Sequence, residues 1–170
     1  MVFFLSAMNI ILKNNFIFLK DYKVKCAIGK RGITSKKVEG DKCTPRGRFK
    51  LKYIFYRKKR VKNIYSKLKL ISIDKNFGWC DDINSKSYNK FIKFPFKYRA
   101  EKLYRKDNIY DIIVVISYNQ NPVRKGRGSA IFLHVAKKNY APTLGCIALL
   151  KNDLKHLISI INKNTYIKIL

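Results

Sequence analysis

Apolar and polar residues alternate with a period of two through much of this chain, the pattern of strands with one buried face. In the first third, "NIIL", "FIFL" and "YKVKCAIG" are short runs of this kind, the first two separated by the turn formers Asn14 and Asn15, and they predict a meander of strands. The segment "GDKCTPRGRFKLKYIFY" opens on turn residues and then alternates for long enough to predict one long strand, with Phe49, Leu51, Tyr53 and Phe55 on a single core-facing side. Beyond it, "LKLISI" reads as a strand, "FGWCDDINSKSYN" as an irregular aromatic loop, and "KYRAEKLYRK" as at most a short helix.

From Ile109 the pattern changes. "IYDIIVVIS", "SAIFLHV" and "CIALL" are apolar runs of strand length, the first two separated by the turn-rich "YNQNPVRKGRG". His134 therefore falls at the end of a buried strand. In "NDLKHLISIINK", Leu154, Leu157, Ile158 and Ile161 repeat at helical spacing and Asn152 is placed to cap; His156 lies off that stripe and is expected to be exposed and inert. "TYIKIL" alternates again and predicts a final strand. With no internal repeat and no linker, residues 1–170 read as one domain, long enough to bury roughly 70% of its extended surface.

Composition adds a globular chain of unusual charge. An apolar fraction of 47%, with 11 Tyr and 11 Phe, excludes a disordered tail, while 38 Lys+Arg against 10 Asp+Glu give a net charge of +28. Such a charge attracts polyanions: nucleic acid, anionic membrane or an acidic cell-wall polymer. The joint abundance of Lys, Asn and Ile also follows from AT-rich coding, so charge alone selects no ligand. The run "YRKKRVKNIYSKLK" could meet phosphates, but a basic run beside a strand end is more often a solvated loop. Cys26, Cys43, Cys80 and Cys146 form no C-x-x-C pair, which leaves no zinc ribbon and no thioredoxin-type motif; no metal and no cofactor is expected, and reduced cysteines are the default. The apolar start "MVFFLSAMNIIL" has neither a basic lead nor a small-x-small cleavage site and reads as a strand or leader remnant. No later run is long enough for a membrane span.

Candidate chemistry lies in "HVAKKNYAPTLGCIALL". A thiol nucleophile needs a base, donors for the oxyanion and a backbone that lets a carbonyl approach. His134 supplies the base and Cys146 the thiol. Gly145, lacking Cβ, allows the N–H groups around Leu144 to Cys146 to turn into the site. A core histidine and a buried cysteine would give the same letters, so this stretch alone leaves both readings open.

A second motif separates them. "GDKCTPRGRF" resembles the G-D-x-x-T-P-x-G-x-F segment of the L,D-transpeptidase catalytic domain, also called the YkuD family, and "TLGCIAL" resembles its S/T-x-G-C nucleophile motif. The similarity runs from about Val24 to Ala148 and is strongest to a compact branch found in Gram-negative bacteria. It implies a mainly β fold, a curved sheet or β-sandwich with one or two short helices. It further implies Cys146 as nucleophile, His134 as its base, and Thr143 with Gly145 as shapers of the oxyanion pocket; Asp41, Thr44, Pro45 and Gly47 would form a turn packed near the site.

Two positions depart from the family pattern: Val135 stands where Gly commonly follows the histidine, and Ala148 where Arg commonly follows the cysteine by two. Arg127 or a lysine would then hold the substrate carboxylate. The short histidine-to-cysteine spacing implies a small flap over the cleft. In the "GWCDD…YN" stretch, Trp79, Asp81, Asp82, Tyr88 and Asn89 either wall a peptide-stem site or form a self-bonded Asx turn anchored by Trp79. The activity the resemblance implies is attack on the diamino acid–D-Ala bond of a peptidoglycan stem through a thioester, resolved by an amine (L,D-transpeptidase) or by water (L,D-carboxypeptidase or endopeptidase). The alternative is a non-catalytic basic module for anionic polymers. Partners expected are peptidoglycan stems and an anionic cell-wall polymer, not nucleic acid. A periplasmic or cell-envelope location follows from the resemblance, while the unclear signal peptide leaves a cytoplasmic one open.

Overall fold

The computed structural model describes residues 9–170; the stretch preceding Asn9, and with it most of the strand-or-leader segment, lies outside the described residues. The chain forms β1 (Asn9–Lys13), β2 (Phe16–Leu19), β3 (Tyr22–Lys25), β4 (Ile33–Thr34), β5 (Thr44–Pro45), β6 (Gly47–Tyr56), β7 (Leu70–Ser72) and β8 (Phe77–Cys80). There follow β9 (Phe91–Lys93), β10 (Ala100–Lys102), β11 (Ile112–Ile116), β12 (Phe132–Val135), a 3₁₀ turn at Lys138–Tyr140, β13 (Ile147–Leu149), α1 (Lys151–Ile160) and β14 (Tyr166–Ile169). The fold is mainly β, with a single α-helix among the described residues, as expected.

Nine strands form one sheet in the order β13-β12-β11-β6-β14-β1-β2-β3, with β7 beside β6. The sheet curls until its ends meet. After β3 the chain runs back along β13, where Ala27 and Ala148 exchange backbone hydrogen bonds of 2.8 and 2.9 Å and Thr143 bonds to both Ile28 and Lys30. The concave side is filled by Ile10, Leu12, Ile17, Ile54, Ile112, Val114, Leu133, Ile147 and Ile167, with Leu154, Leu157 and Ile158 of α1 packed among them.

A second core lies on the convex side. The small sheet β10-β8-β9 covers β11 and β12 there, burying Phe77, Trp79, Leu103 and Tyr110 against Ile113, Val115 and Phe132. β11 is thus buried on both faces, which is why "IIVVI" is an unbroken apolar run and not an alternating one. β8 is likewise buried throughout, so "FGWC", expected to be loop, is a strand; "AEK" pairs with it as β10, where a short helix was the limit of expectation. Neither three- or four-residue strand is long enough to show a period of its own.

The long strand β6 also departs from simple alternation. Leu51 is registered with Ile116 and Tyr53 with Val115, so Lys52 is an extra residue that shifts the phase. Phe49 and Leu51 point to the concave core as expected, but beyond the bulge Ile54 takes that side, while Tyr53 and Phe55 turn to the convex core. The basic loop after β6 is used internally at two positions. Arg57 is buried with its guanidinium 3.5 Å from the Tyr104 ring centroid, and Arg60 reaches Asp111 and the Lys106 and Asp107 carbonyls. Lys58 and Lys59 of that run are exposed.

Asn152 does not cap α1. The cap position is Leu150, without a side-chain hydrogen bond, and Asn152 is an exposed residue inside the first turn. Asn152→Ala should therefore change urea-unfolding stability by less than about 0.5 kcal/mol. Leu154→Ala, which empties a fully buried site, should cost about 2–5 kcal/mol in the same titration.

Candidate active site

Alternation along β12 sends Leu133 and Val135 to the concave core and Phe132 and His134 to the convex side. β13 runs parallel to it with His134 opposite Ala148, so Ala148 and Cys146 share His134's side of the sheet. All three line a cavity of about 680 Å³. Its mouth is formed by Ala141, Pro142, Thr143 and Leu144; Leu144 is 77% exposed.

The "GDKCTP" turn fixes the loop that leads to Cys146 from behind. Thr44 is fully buried; its hydroxyl donates to the Gly145 carbonyl at 2.9 Å and accepts from the Gly29 N–H at 2.8 Å. Gly145 has φ +138°, and a Cβ there would sit 2.9 Å from the Cys43 carbonyl oxygen, so only glycine fits. Asp41 ties the turn itself, accepting from the Val38 and Cys43 N–H groups and pairing with Lys37 at 2.5 Å. Burial opposes ionisation of Asp41, but these bonds hold its carboxyl below the usual carboxylate range. Thr143 closes the loop: its hydroxyl donates to the Cys146 carbonyl at 2.6 Å and accepts from the Gly145 N–H at 3.1 Å. The Gly145 N–H is thereby occupied, which leaves Leu144 and Cys146 as the sources of donors in this loop.

The cysteine and the histidine both rest in neutral form. The Cys146 thiol donates to the Ala130 carbonyl at 3.1 Å and accepts from the Phe132 N–H at 3.4 Å. Burial, with the nearby Glu101 carboxylate, pushes it up to about 12. The His134 Nδ1 lies 2.9 Å from the Val135 carbonyl, which fixes the tautomer with Nδ1–H donating and leaves Nε2 as the basic atom. Burial lowers the imidazole to about 4, and Arg105 and Lys137 act in the same direction. Tyr110 packs edge-on against this ring, centroids 5.4 Å apart.

Of the other residues singled out in the sequence, Asp81 lines the cavity, paired with Arg99 at 3.0 Å. Asp82 instead bonds the Asn84 and Arg99 N–H groups as an Asx turn. Trp79 is buried against Phe132 and donates to Asn89 at 2.9 Å. Asn89 accepts from the Ala130 N–H at 3.1 Å and donates to the Tyr118 and Asn119 carbonyls. It thus holds Ala130, a non-glycine residue at φ +51°, in the orientation that receives the Cys146 thiol. Tyr88 is buried and donates to Glu39 at 2.5 Å. Arg127 is exposed and outside the lining; its carbonyl accepts from the Tyr118 hydroxyl.

The remaining charged lining was not anticipated. Glu39, fixed by Tyr88 and Ser129, and Glu101, fixed by the Tyr110 hydroxyl at 2.7 Å, bring carboxylates into the cavity. Burial raises the Glu101 carboxyl above its ordinary value. Lys42 and Lys137 bring ammonium groups without an ion-pair partner among the described residues. Scarcity was the available signal: with 10 acidic residues against 38 basic ones, each carboxylate had reason to be placed. Among the described residues, no cluster of three or more His, Cys, Asp or Glu is arranged to hold a metal. The four cysteines are unpaired.

This arrangement agrees with the sequence comparison. Residues 7–169 match the model of the L,D-transpeptidase catalytic domain, YkuD, and the chain belongs to that family. It is therefore a member of a peptidoglycan-related, cell-envelope-associated family. No curated protein matches it significantly. Two solved structures with the same fold are the helical cell shape determining protein Pgp2 from Campylobacter jejuni and its K307A mutant, each 16% identical with a TM-score of 0.50. Each match covers 96% of this chain but only 46% or 47% of the other, so the chain spans about half the length of these relatives. No helix of the described residues is long and apolar enough to cross a membrane.

The lowered His134 value has a consequence for stability. An imidazole at about 4 in the folded chain and about 6.5 unfolded contributes fully above pH 6.5, and the contribution falls as pH drops from 6.5 toward 4, because the unfolded chain takes up the proton first. The loss should be on the order of 3 kcal/mol across that window. Urea midpoints at pH 7 and pH 4.5 should therefore fall further for wild type than for His134→Gln.

Proposed function

We propose that this chain is a cysteine-dependent acyltransferase acting on the peptide stem of peptidoglycan at the diamino acid–D-Ala bond. The observation that carries the reading is the placement of His134 and Cys146 on one side of two adjacent parallel strands, facing one cavity, with the two family motifs joined by the Thr44 hydroxyl.

The resting thiol points to Ala130, so catalysis begins with its rotation toward the Nε2 of His134. The proton moves to the imidazole as the sulfur attacks the stem carbonyl, and the N–H groups of Leu144 and Cys146 receive the oxyanion. The C–N bond then breaks, the imidazolium returns its proton to the leaving D-alanine amine, and a thioester remains on Cys146. An amine or a water, deprotonated by the same imidazole, resolves it: transpeptidation in the first case, carboxypeptidase or endopeptidase action in the second. A neutral resting pair suits this sequence, because charge separation is confined to the time when substrate fills the cavity and excludes water.

Recognition falls to groups other than the arginine usual in the family. At that place Ala148 leaves space, and Lys42 and Lys137, the lining cations without an ion-pair partner among the described residues, are placed to meet a stem carboxylate. Asp81 and Glu101 are placed for the amine of the diamino acid. A substrate of this kind places the protein's action in the cell envelope.

Incubation with purified muropeptides followed by mass spectrometry tests the reading. Wild type should release D-alanine or form cross-linked product, Cys146→Ala should do neither, and His134→Gln should be slower by on the order of 10²–10⁴, the range for a positioned proton-transfer group. Full activity in both variants would contradict it, and would leave a non-catalytic binding module as the reading of the fold.

A further inference from the structure

The convex side of the large sheet has two halves. One is covered by the small sheet and carries the cavity. The other, formed by β3, β2, β1, β14 and the first half of β6, has no protein layer over it among the described residues. Register places its outward side chains in rows across the strands. One row reads Lys23, Phe18, Ile11, Lys168 and Arg48; beside it stand Lys25, Phe16 and Lys13 on one flank, and Asn9, Tyr166 and Lys50 on the other.

These positions include six cations and no carboxylate. The basic residues surround an apolar centre. Phe16 and Phe18 are half-buried and Ile11 is 37% exposed, in the middle of an otherwise charged face. The cationic groups lie over the rings: Lys23 Nζ is 4.4 Å from the Phe16 centroid and 5.5 Å from that of Phe18, and the Arg48 guanidinium is 3.7 Å from that of Tyr166. Self-repulsion among so many like charges is unfavourable in the free protein and is relieved by a polyanion.

We infer that this five-stranded face docks on an anionic lipid bilayer as a peripheral membrane surface. Charge complementarity selects an anion, and three further features select a bilayer over a strand of nucleic acid. The face is an open sheet and not a groove. The Lys23 ammonium lies over one face of the Phe16 and Phe18 rings, so that face is not free to stack with a base while the rest of each ring stays open. Its apolar residues are central with lysines around them, so Phe16, Phe18 and Ile11 enter the headgroup boundary while the lysine stems reach outward to lipid phosphates. The inference is independent of the chemistry proposed for Cys146.

Co-sedimentation with vesicles of phosphatidylcholine and phosphatidylglycerol at 70:30, and with phosphatidylcholine alone, tests it at ~0.1 M salt. Wild type should bind the mixed vesicles and not the neutral ones. Lys23→Gln/Lys25→Gln/Lys168→Gln should lower the partition coefficient on the order of a hundredfold. Lys58→Gln/Lys59→Gln/Lys86→Gln, which removes the same charge from exposed sites elsewhere, should lower it by about threefold or less. Phe16→Ser/Phe18→Ser should weaken binding further than its unchanged net charge explains. Equal losses in the two lysine triples, or no retention of wild type on the mixed vesicles, would overturn the inference. So would unchanged vesicle binding by the phenylalanine double variant with loss of single-stranded polynucleotide binding, which would make nucleic acid the occupant.

Discussion

One buried hydroxyl joins the two segments of this protein that carry the family motifs. Thr44 donates to the carbonyl of Gly145, a residue 101 positions away, and accepts from the N–H of Gly29. The contact is close enough on both sides that a Cβ on Gly29 would lie 2.5 Å from the Lys42 carbonyl and one on Gly145 2.9 Å from that of Cys43. The return of the chain along β13, the position of the loop that ends at Cys146 and the closure of the curled sheet meet at this point. A buried donor and acceptor left without partners cost about 1–3 kcal/mol each, so the hydroxyl is constrained in kind as well as in place.

The constraint shapes the electrostatics of the cavity. By holding Gly145, Thr44 holds Cys146 against the Ala130 carbonyl, whose own backbone is set by Asn89. The thiol is half-buried and protonated, and the His134 imidazole that faces the same cavity is buried and neutral. Charged groups line the same cavity, and its carboxylates are held by partners of their own: Glu39 and Glu101 by tyrosine hydroxyls, and Asp81 by an arginine. Cys146 and His134 form no ion pair with one another at rest.

Much of this was legible in the sequence where local pattern and chemistry agree. The β-rich character, the buried strand ending at His134, the helical stripe of α1 and the turn that precedes β6 follow from periodicity and turn residues. What failed to show was decided by contacts between distant segments. The Lys52 bulge depends on how β6 meets β11, so Tyr53 and Phe55 left the face that alternation assigned them. β8 and β10 are too short to show a period, and they are strands because they pair with one another. The role of Trp79, Tyr88 and Asn89 as supports behind the cavity depends on Glu39 and Ala130, which lie far from them in the chain. Glu101 and Lys137 were missed for the same reason: nothing local marks a charged residue as facing a cavity built elsewhere.

The alkylation rate of Cys146 by iodoacetamide near neutral pH, read by peptide mapping in Thr44→Val, Thr44→Ser and wild type, tests most directly whether the Thr44 hydroxyl holds the thiol neutral against the Ala130 carbonyl. Serine keeps the hydroxyl and should match the slow wild-type rate. Valine keeps the shape but frees the Gly145 carbonyl, releases the loop to water and should raise the rate at least about tenfold, as the thiol returns toward its ordinary acidity. Equal rates in all three proteins would contradict the account.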